Sequence, residues 1–385
     1  MNTNLKFLVI AHVIHKHRPD SHILAYGPYV REMNLWFKHV KQVRVIAPMS
    51  SHPHNAIDLV YKHNNLEFIQ IPGINFQSVG NTLRSLIYLP LIMWRIFLGM
   101  CWANHIHLRC PGNIGLLGCI TQILFPWKAK TAKYAGNWDW KSKQPLSYRL
   151  QKRILRNTWL THNMQALIYG EWPDRNRNIL PFFTASYTKT EKEALPEKSL
   201  LNPMRLIFAG SLSPHKRPML AAQIAKHLSA AGHKLSMTFL GEGPERKNLE
   251  QYIKDYKLEA FVQLLGNVDA ERVKSELKKA HFLIFLSKSE GWPKAVAEAM
   301  FWGCVPITTS VSCVPYMLGD GRSGALVDPD VDSAVEAIES YLAEPDKYNK
   351  HRKAAAEWSQ QFTLERFERE IAKLLQTNKA SARDN

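Results

Sequence analysis

Phe282-Leu283-Ile284-Phe285-Leu286-Ser287-Lys288-Ser289-Glu290-Gly291-Trp292-Pro293-Lys294-Ala295-Val296-Ala297-Glu298-Ala299-Met300 decides the fold class of this 385-residue chain. Five apolar residues in a row have the length and residue types of a parallel strand buried on both faces. A Gly-Trp-Pro turn follows, and Ala295 to Phe301 is rich in helix formers. Glu290 therefore falls where a strand hands over to a helix, and Glu298 lies about two turns into that helix. In open parallel sheets this carboxyl edge is where ligands bind. The helix N-terminus offers free N–H groups and a positive dipole end, which suit phosphate. The two carboxylates could accept hydrogen bonds from the hydroxyls of a sugar and a ribose on either side of it. The same residues also suit a plain turn and a solvated helix face, so the neighbouring motifs must decide.

Outward from this stretch, strand-like and helix-like segments alternate. In the first half the expected strands are Lys6–Ala11, Val43–Ala47, Leu66–Ile71, His105–Leu108, Lys130–Tyr134 and Ala166–Tyr169. The expected helices are Ala25–Phe37, Ser85–Trp102, Gly115–Leu124 and Leu146–Asn157. A polar, charged linker from Thr188 to Pro203 separates them from a second alternating set that begins at Leu206 and closes with a helix over Asp332–Ala343. Alternation of this kind implies two parallel sheets, each covered on both faces. Ala354 to Leu375 has the apolar spacing of one or two further helices. The expected domains are 1–190 and 204–355, with helices over 356–376 packing on the first.

Two more loops fall at strand ends in the second half. Gly210-Ser211-Leu212-Ser213-Pro214-His215-Lys216-Arg217-Pro218 offers Lys216 as a point charge for a diphosphate, with Arg217 assisting or facing solvent. Leu240-Gly241-Glu242-Gly243-Pro244-Glu245 offers glycines that permit a tight turn and close approach of a ligand, as well as a plain turn. It is not a dinucleotide fingerprint.

In order, these pieces resemble family 4 of the retaining glycosyltransferases, which have the GT-B fold. The matching residues are Phe208-Ala209-Gly210, Lys216, Phe239 to Glu245, Leu265-Gly266-Asn267-Val268, the Glu290 to Glu298 block, Gly303-Cys304-Val305-Pro306 and Gly324-Ala325-Leu326-Val327. The likeness is close over residues 204–345 and loose over the first half. It implies an α/β chain of two Rossmann-like, doubly wound domains facing a cleft, the first binding the acceptor and the second a nucleotide-sugar, with a C-terminal helix crossing back to the first. Carried over, Glu290 would bind donor-sugar hydroxyls, Glu298 the ribose and Lys216 the diphosphate. The backbone from Gly291 and Trp292 to Ala295 and Val296 would hold the sugar or phosphates, with Ser211, Arg217, Gly241 and Gly243 lining the donor. Gly27, in Tyr26-Gly27-Pro28, matches the family's glycine turn after the first strand.

Two positions depart from the family pattern. Ser211 stands where an arginine is frequent, and Lys294 is expected to compensate, because a lysine at a helix N-terminus is disfavoured without an anion. Asn137, in Tyr134-Ala135-Gly136-Asn137-Trp138, stands where many members carry a histidine; an asparagine hydrogen-bonds but is no base. His105, His107 and Arg109 are the other polar candidates in the first half, structural or acceptor-facing rather than catalytic.

Charge is uneven. The chain carries +17, and residues 1–200 alone carry +15, with a dense run from Lys128 to Arg177. This points to a polyanion beside the first half, here an anionic membrane face. Leu86 to Trp102 is nearly apolar, yet Pro90 and Arg95 interrupt it, so it is expected to pack on a sheet with one face towards lipid headgroups rather than to span. Five cysteines without metal-ligand spacing and a short apolar run at Phe7–Ala11 fit a reducing, cytoplasmic setting at the inner face of the membrane. The function expected is a retaining, metal-independent hexosyltransferase with no cofactor. Its donor would be a UDP- or GDP-sugar and its acceptor a glycan or lipid-linked glycan for cell-surface polysaccharide. The alternatives are a nucleotide-sugar epimerase of the same fold and a basic nucleic-acid-binding protein. The second lacks any recognisable reading motif, so nucleic acid is not an expected partner.

Overall fold

The computed structural model describes residues 5–380 except 19–21, 54–57, 76–77, 174–175, 197 and 201–202. Its contacts divide the chain into two units, residues 1–183 with 366–385, and residues 184–365. The sequence from Thr377 onward is expected to be frayed; residues 377–380 continue the last helix, and 381–385 lie outside the described residues.

The first unit opens with β1 (Lys6–Ile10), then β2 (His15–His17), β3 (Ile23–Tyr26), α1 (Gly27–Phe37), β4 (Gln42–Ser50), β5 (Asp58–Val60) and β6 (Leu66–Ile71). It continues with α2 (Val79–Trp102), β7 (His105–Cys110), α3 (Asn113–Thr121), β8 (Ala129–Tyr134), α4 (Leu146–Arg156), β9 (Met164–Tyr169) and β10 (Ile179–Phe182). The strands run β10-β9-β8-β7-β1-β4, with β6 parallel to β4. The six expected strands are all present. β2, β3, β5 and β10 are not among the expected strands; β10 adds parallel to β9, and the other three form an antiparallel extension that joins β4 through β2.

Side chains alternate across β1, so its two faces serve different helices. Leu8 and Ile10 pack with Ile92, Ile96 and Met100 of α2, Ile114 of α3 and Leu155 of α4. Phe7 points the other way, stacking on Trp36 of α1 at 5.7 Å and on His105 at 5.3 Å. Thus α2, α3 and α4 form one layer and α1 belongs to the opposite layer. By length and composition α2 could cross a membrane. Its Ile92 and Ile96 are fully buried against the sheet.

The basic run beginning at Lys128 is only partly surface. Lys130, Lys133 and Lys152 are buried, each with its ammonium on a backbone carbonyl: Phe125 at 2.9 Å, Phe183 at 2.8 Å and Asp139 at 3.0 Å. Burial pushes Lys130 down to about 7. These lysines satisfy carbonyls that the sheet and helices leave over.

The second unit runs β11 (Met204–Ala209), α5 (Pro218–Ala230), β12 (Leu235–Leu240), α6 (Arg246–Asp255), β13 (Val262–Gly266), α7 (Ala270–Lys279) and β14 (Phe282–Phe285). It continues α8 (Lys294–Phe301), β15 (Val305–Thr309), α9 (Val314–Leu318), β16 (Ala325–Val327), α10 (Val331–Ala343) and α11 (Pro345–Ser359). The strands lie β13-β12-β11-β14-β15-β16, every pair parallel. The chain moves outward from β11 through β12 to β13, then returns to β14 and moves the other way. The point where the order reverses is the gap between β11 and β14.

Two boundaries differ from expectation. The expected linker is laid on α7: Glu191 pairs with Lys274 at 2.9 Å and Glu193 with Lys278 at 2.7 Å, so these charges attach the segment to the second unit. Likewise α11 belongs to that unit, because the Ser359 hydroxyl donates to the Ala297 carbonyl of α8 at 2.6 Å. Only α12 (Leu364–Ala380), from Arg366 onward, joins the first unit. There Phe367 packs 5.5 Å from Phe182 and 5.6 Å from Phe183.

Candidate functional site

The two loops that flank the reversal between β11 and β14 carry the candidate site. Lys216 comes from the β11–α5 loop and Glu290 from the β14–α8 loop. Lys216 Nζ donates to Glu290 Oε1 at 2.5 Å, and the Ser287 hydroxyl donates to the same oxygen at 2.5 Å. The lysine head sits 4.6 Å from the Phe285 ring centroid, so the last residue of β14 supports it. Ser287 is itself anchored, its carbonyl accepting from the Thr309 hydroxyl of β15 at 2.7 Å. A bond from the Lys288 N–H to the His215 carbonyl, 2.8 Å, joins the two loops directly. Both members of the pair are mostly buried, with side chains 23% and 11% exposed.

Glu298 occupies a different cluster. Its carboxylate accepts from the Ser186 hydroxyl at 2.5 Å. Together with Lys294, Trp292 and the segment 184–187 it lines a small pocket of about 10 Å³, which Glu290 does not line. The two glutamates therefore do not share this pocket. Beside Glu298, burial first and then the carboxylate charge push the Tyr187 hydroxyl pKa up. Among the described residues no side chain caps α8 and no acid stands in its first turn, so Lys294 and Ala295 bring first-turn backbone N–H groups to the carboxyl edge, whereas the expected Val296 N–H donates to the Pro293 carbonyl at 3.0 Å.

Several expected donor residues have structural partners. Arg217 adopts a left-handed conformation at the start of α5, and its guanidinium donates to the Leu286 carbonyl at 3.0 Å, tying β14 to α5. Ser211 is exposed, its hydroxyl 3.3 Å from that of Ser213. Gly291 gives its carbonyl to Ser312 at 3.1 Å and Cys313 at 3.2 Å. Trp292 is buried and stacks on Trp358 at 6.0 Å. Its ring is therefore a core group, and only its backbone stays a candidate.

The glycines of the β12–α6 loop are required by the backbone packed against them. A Cβ on Gly241 would lie 1.9 Å from the Gly210 carbonyl oxygen, and one on Gly243 would lie 2.4 Å from that of Leu212. The loops after β11 and β12 are pressed together: the Leu212 N–H donates to the Glu242 carbonyl at 3.0 Å and the Glu245 N–H to the Leu212 carbonyl at 2.9 Å.

In the first unit the picture changes more. Gly27 does not follow the first strand, because the β2–β3 hairpin intervenes; it opens α1, followed by Pro28. His105, His107 and Arg109 are interior rather than acceptor-facing. Both histidines hydrogen-bond the Thr131 hydroxyl at 2.9 Å. Burial holds His105 down to about 3 and, with the charge of Arg109, holds His107 well below its ordinary range. Arg109 forms a buried ion pair with Glu32 of α1. Asn137 is nearly buried and accepts from the Asp139 N–H at 2.9 Å, closing a turn. Among the described residues no three His, Cys, Asp or Glu side chains converge as a metal site requires.

Sequence reasoning does not find Ser287, Ser186 or Phe285. Ser287 is within its reach, three residues before Glu290 at the same strand end. Ser186 is not, standing 112 residues before Glu298 with no motif of its own.

Comparison with known proteins agrees with this layout. Residues 191–358 match the model of the family Glycosyl transferases group 1. The putative colanic acid biosynthesis glycosyltransferase WcaL of Salmonella typhimurium is 29% identical over 187 residues, covering 46% of this chain and 45% of that protein. A phosphatidylinositol N-acetylglucosaminyltransferase component of Arabidopsis thaliana is 34% identical over 103 residues, covering 27% and 23%. The match thus spans about half the length of the first relative and a quarter of the second. Among solved structures, sucrose-phosphate synthase from Thermosynechococcus elongatus superposes with a TM-score of 0.67 at 15% identity, covering 98% of this chain and 100% of that one. Anabaena Alr3699/HepE in complex with UDP and glucose does so with 0.68 at 13% identity, covering 97% and 100%. Residues 191–358 are therefore a domain of the glycosyl transferases group 1 family, in a chain whose two Rossmann-like units have the GT-B architecture.

Proposed function

We propose that this chain is a retaining glycosyltransferase. It moves a hexosyl group from a nucleoside-diphosphate sugar, UDP or GDP, to an acceptor hydroxyl without a metal ion. The observation that carries the reading is the Lys216–Glu290 pair at the reversal between β11 and β14, where an open parallel sheet binds its ligand. In this reading, sugar hydroxyls donate to Glu290 and the diphosphate takes the Lys216 ammonium. The leaving diphosphate gains charge as the glycosidic bond breaks, and Lys216 with the N–H groups of α8 stabilises it. Glu298 accepts from the ribose. The likeness to a protein solved with UDP and glucose supports a nucleotide-sugar donor.

The acceptor in this reading is a lipid-linked glycan for surface polysaccharide or glycolipid, presented at the inner face of the membrane. Relatives named as a colanic acid glycosyltransferase and a phosphatidylinositol N-acetylglucosaminyltransferase support a glycan or lipid acceptor. The test is calorimetry with UDP, GDP, their sugars and 2′-deoxy-UDP, followed by assay of nucleoside-diphosphate release with a lipid-phosphate acceptor. One nucleotide should bind, its 2′-deoxy form should bind more weakly, and Glu298→Ala should abolish that difference. Binding of no nucleotide by the intact chain would end the proposal.

A further inference from the structure

The outer surface of the α2–α3–α4 layer has no explanation in the transfer site. Between Leu86 and Cys101, every exposed position of α2 is apolar. Ile87 is 68% exposed and Trp94 57%. The stripe opposite, at Ile92 and Ile96, packs on the sheet. A water-facing helix surface of about four turns with no fully exposed polar residue, its one charge, Arg95, being half-buried with the guanidinium donating to the Gln70 carbonyl, is far beyond the scattered apolar exposure of a soluble domain. Rings extend it sideways: Trp94 stacks on Phe97 at 5.8 Å, Phe97 meets Phe125 at 5.4 Å, and Phe125 meets Trp127 at 5.8 Å. The helix is closed at its C-terminal end by Lys128, whose ammonium donates to the carbonyls of Met100, Cys101 and Ala103 at 2.6 to 2.8 Å.

Beside this ridge, on the same layer, α4 turns arginines outward. Its inner residues Ile154 and Leu155 are in the core that α2 shares, so its outer face looks the same way as that of α2. Arg153 and Arg156 line an open depression of about 360 Å³ with Trp140, Asn157 and Asn176. The Arg156 guanidinium lies 4.9 Å from the Trp140 ring centroid. Residues 68–170, which contain all three helices, include twelve Lys or Arg and a single acid, Asp139; four of the twelve, Arg109, Lys130, Lys133 and Lys152, are buried, which leaves eight basic residues for the surface.

We infer that this layer docks on an anionic phospholipid bilayer, with α2 lying in the plane of the interface and headgroup phosphate entering the Arg153–Arg156 depression. Charge decides the occupant. A second copy would bring the same positive surface and be repelled, whereas anionic headgroups complement it. Shape agrees, because an exposed ridge suits acyl chains better than it suits a groove-seeking partner helix. Tryptophans at its edge match the headgroup level, where one side of the ring is wet. The inference rests on the reading that the acceptor is membrane-borne, and it specifies the face that meets the membrane.

Cys101 ends the apolar stripe and is the exposed one of the five cysteines, so the chain carries its own reporter. The intact protein, labelled at Cys101 with an environment-sensitive dye, is mixed with vesicles of phosphatidylcholine alone or with phosphatidylglycerol. Sedimentation and dye emission are read together. The expected result is binding that needs phosphatidylglycerol, with the dye moving to an apolar environment. The double variant Ile87→Gln/Leu91→Gln should bind about tenfold more weakly or worse, with unchanged circular dichroism. Arg153→Gln should lower affinity by a few-fold for the anionic vesicles only. Vesicle binding with no dye shift and no effect of the double variant would overturn the assigned face while leaving the membrane reading intact. Absence of vesicle binding would overturn both. A lipid-free dimer with Cys101 protected would show that a second copy covers the ridge, and would also overturn the proposal.

Discussion

Lys216 Nζ stands 2.5 Å from Glu290 Oε1, although the two residues are 74 positions apart and come from loops on adjacent strands. Each neutralises the other at a place where both are mostly buried. Lys216→Ala would leave the carboxylate without its counter-charge and a diphosphate without its cation. Affinity for the preferred nucleotide-sugar should fall roughly 10- to 100-fold, the loss of one or two charged hydrogen bonds of about 1.5–3 kcal/mol. Glu290→Gln keeps shape and should lower affinity for the sugar nucleotide more than for the bare nucleoside diphosphate. Calorimetry on the two variants reads this directly; equal losses for both ligands would argue against a sugar contact at Glu290.

Gly241 cannot take a side chain. Its φ is +139°, and a Cβ would meet the Gly210 carbonyl oxygen at 1.9 Å. Gly241→Ala should destabilise the second unit by roughly 2–4 kcal/mol, through backbone strain and the forced parting of two loops. Gly232→Ala is the control: it also has positive φ, at +90°, but among the described residues nothing lies within 4 Å of its Cβ position. It should cost distinctly less in urea unfolding of the same chain.

The buried pair of Arg109 and Glu32 predicts strong non-additivity. Replacing Arg109 alone by methionine strands a carboxylate in the core and should cost about 3–5 kcal/mol. Replacing both, as Arg109→Met with Glu32→Leu, should recover most of that loss. A double-mutant cycle in urea tests it, and additive penalties would mean the two charges do not act as a pair.

Four buried histidines, His15, His105, His107 and His281, make the fold acid-sensitive. Burial holds His15 and His281 at about 4 and His105 at about 3, below the ordinary 6.5. Below pH 6.5 the unfolded chain binds protons that the folded chain refuses. Their contribution is therefore intact above pH 6.5 and is lost as pH falls towards 4 and 3, at up to about 1.4 kcal/mol per pH unit for each. Urea midpoints measured from pH 7.5 to 5 should decline below 6.5, and His105→Phe should flatten the decline.

The parts of the fold legible in sequence were those written as apolar period. Every strand of the second sheet but one was recognisable because a strand covered on both faces must be apolar throughout, as in Phe282–Phe285. The antiparallel extension was not, since His15–His17 and Asp58–Val60 are short, half polar and gain their pairing only from β4 and from each other through β3. The candidate site divided in the same manner. Lys216 and Glu290 were legible from their positions at strand ends. For the histidines and Arg109 on β7 the sequence leaves a structural and an acceptor-facing role open, because polar residues on a strand also suggest an accessible edge. Here, distant in sequence, Thr131 meets one ring nitrogen of each histidine and Glu32 pairs with Arg109 inside, while His107 Nε2 is buried without a hydrogen-bond partner among the described residues. Lys130, Lys133 and Lys152 were misread, as charge is read as surface until its carbonyl partners are seen.

The contact between the loops after β11 and β12 bears on how a nucleotide would be met. Amides at 210, 212, 241 and 245 are all engaged in the bonds that join β11, β12 and β13 at their tips. Local opening there would have to break several bonds at once, so these amides should exchange with solvent slowly and together. A ligand arriving at this ledge would find it already rigid. Discrimination between one base or sugar and another would then come from the side chains standing on the ledge, since the ledge itself cannot mould to its guest.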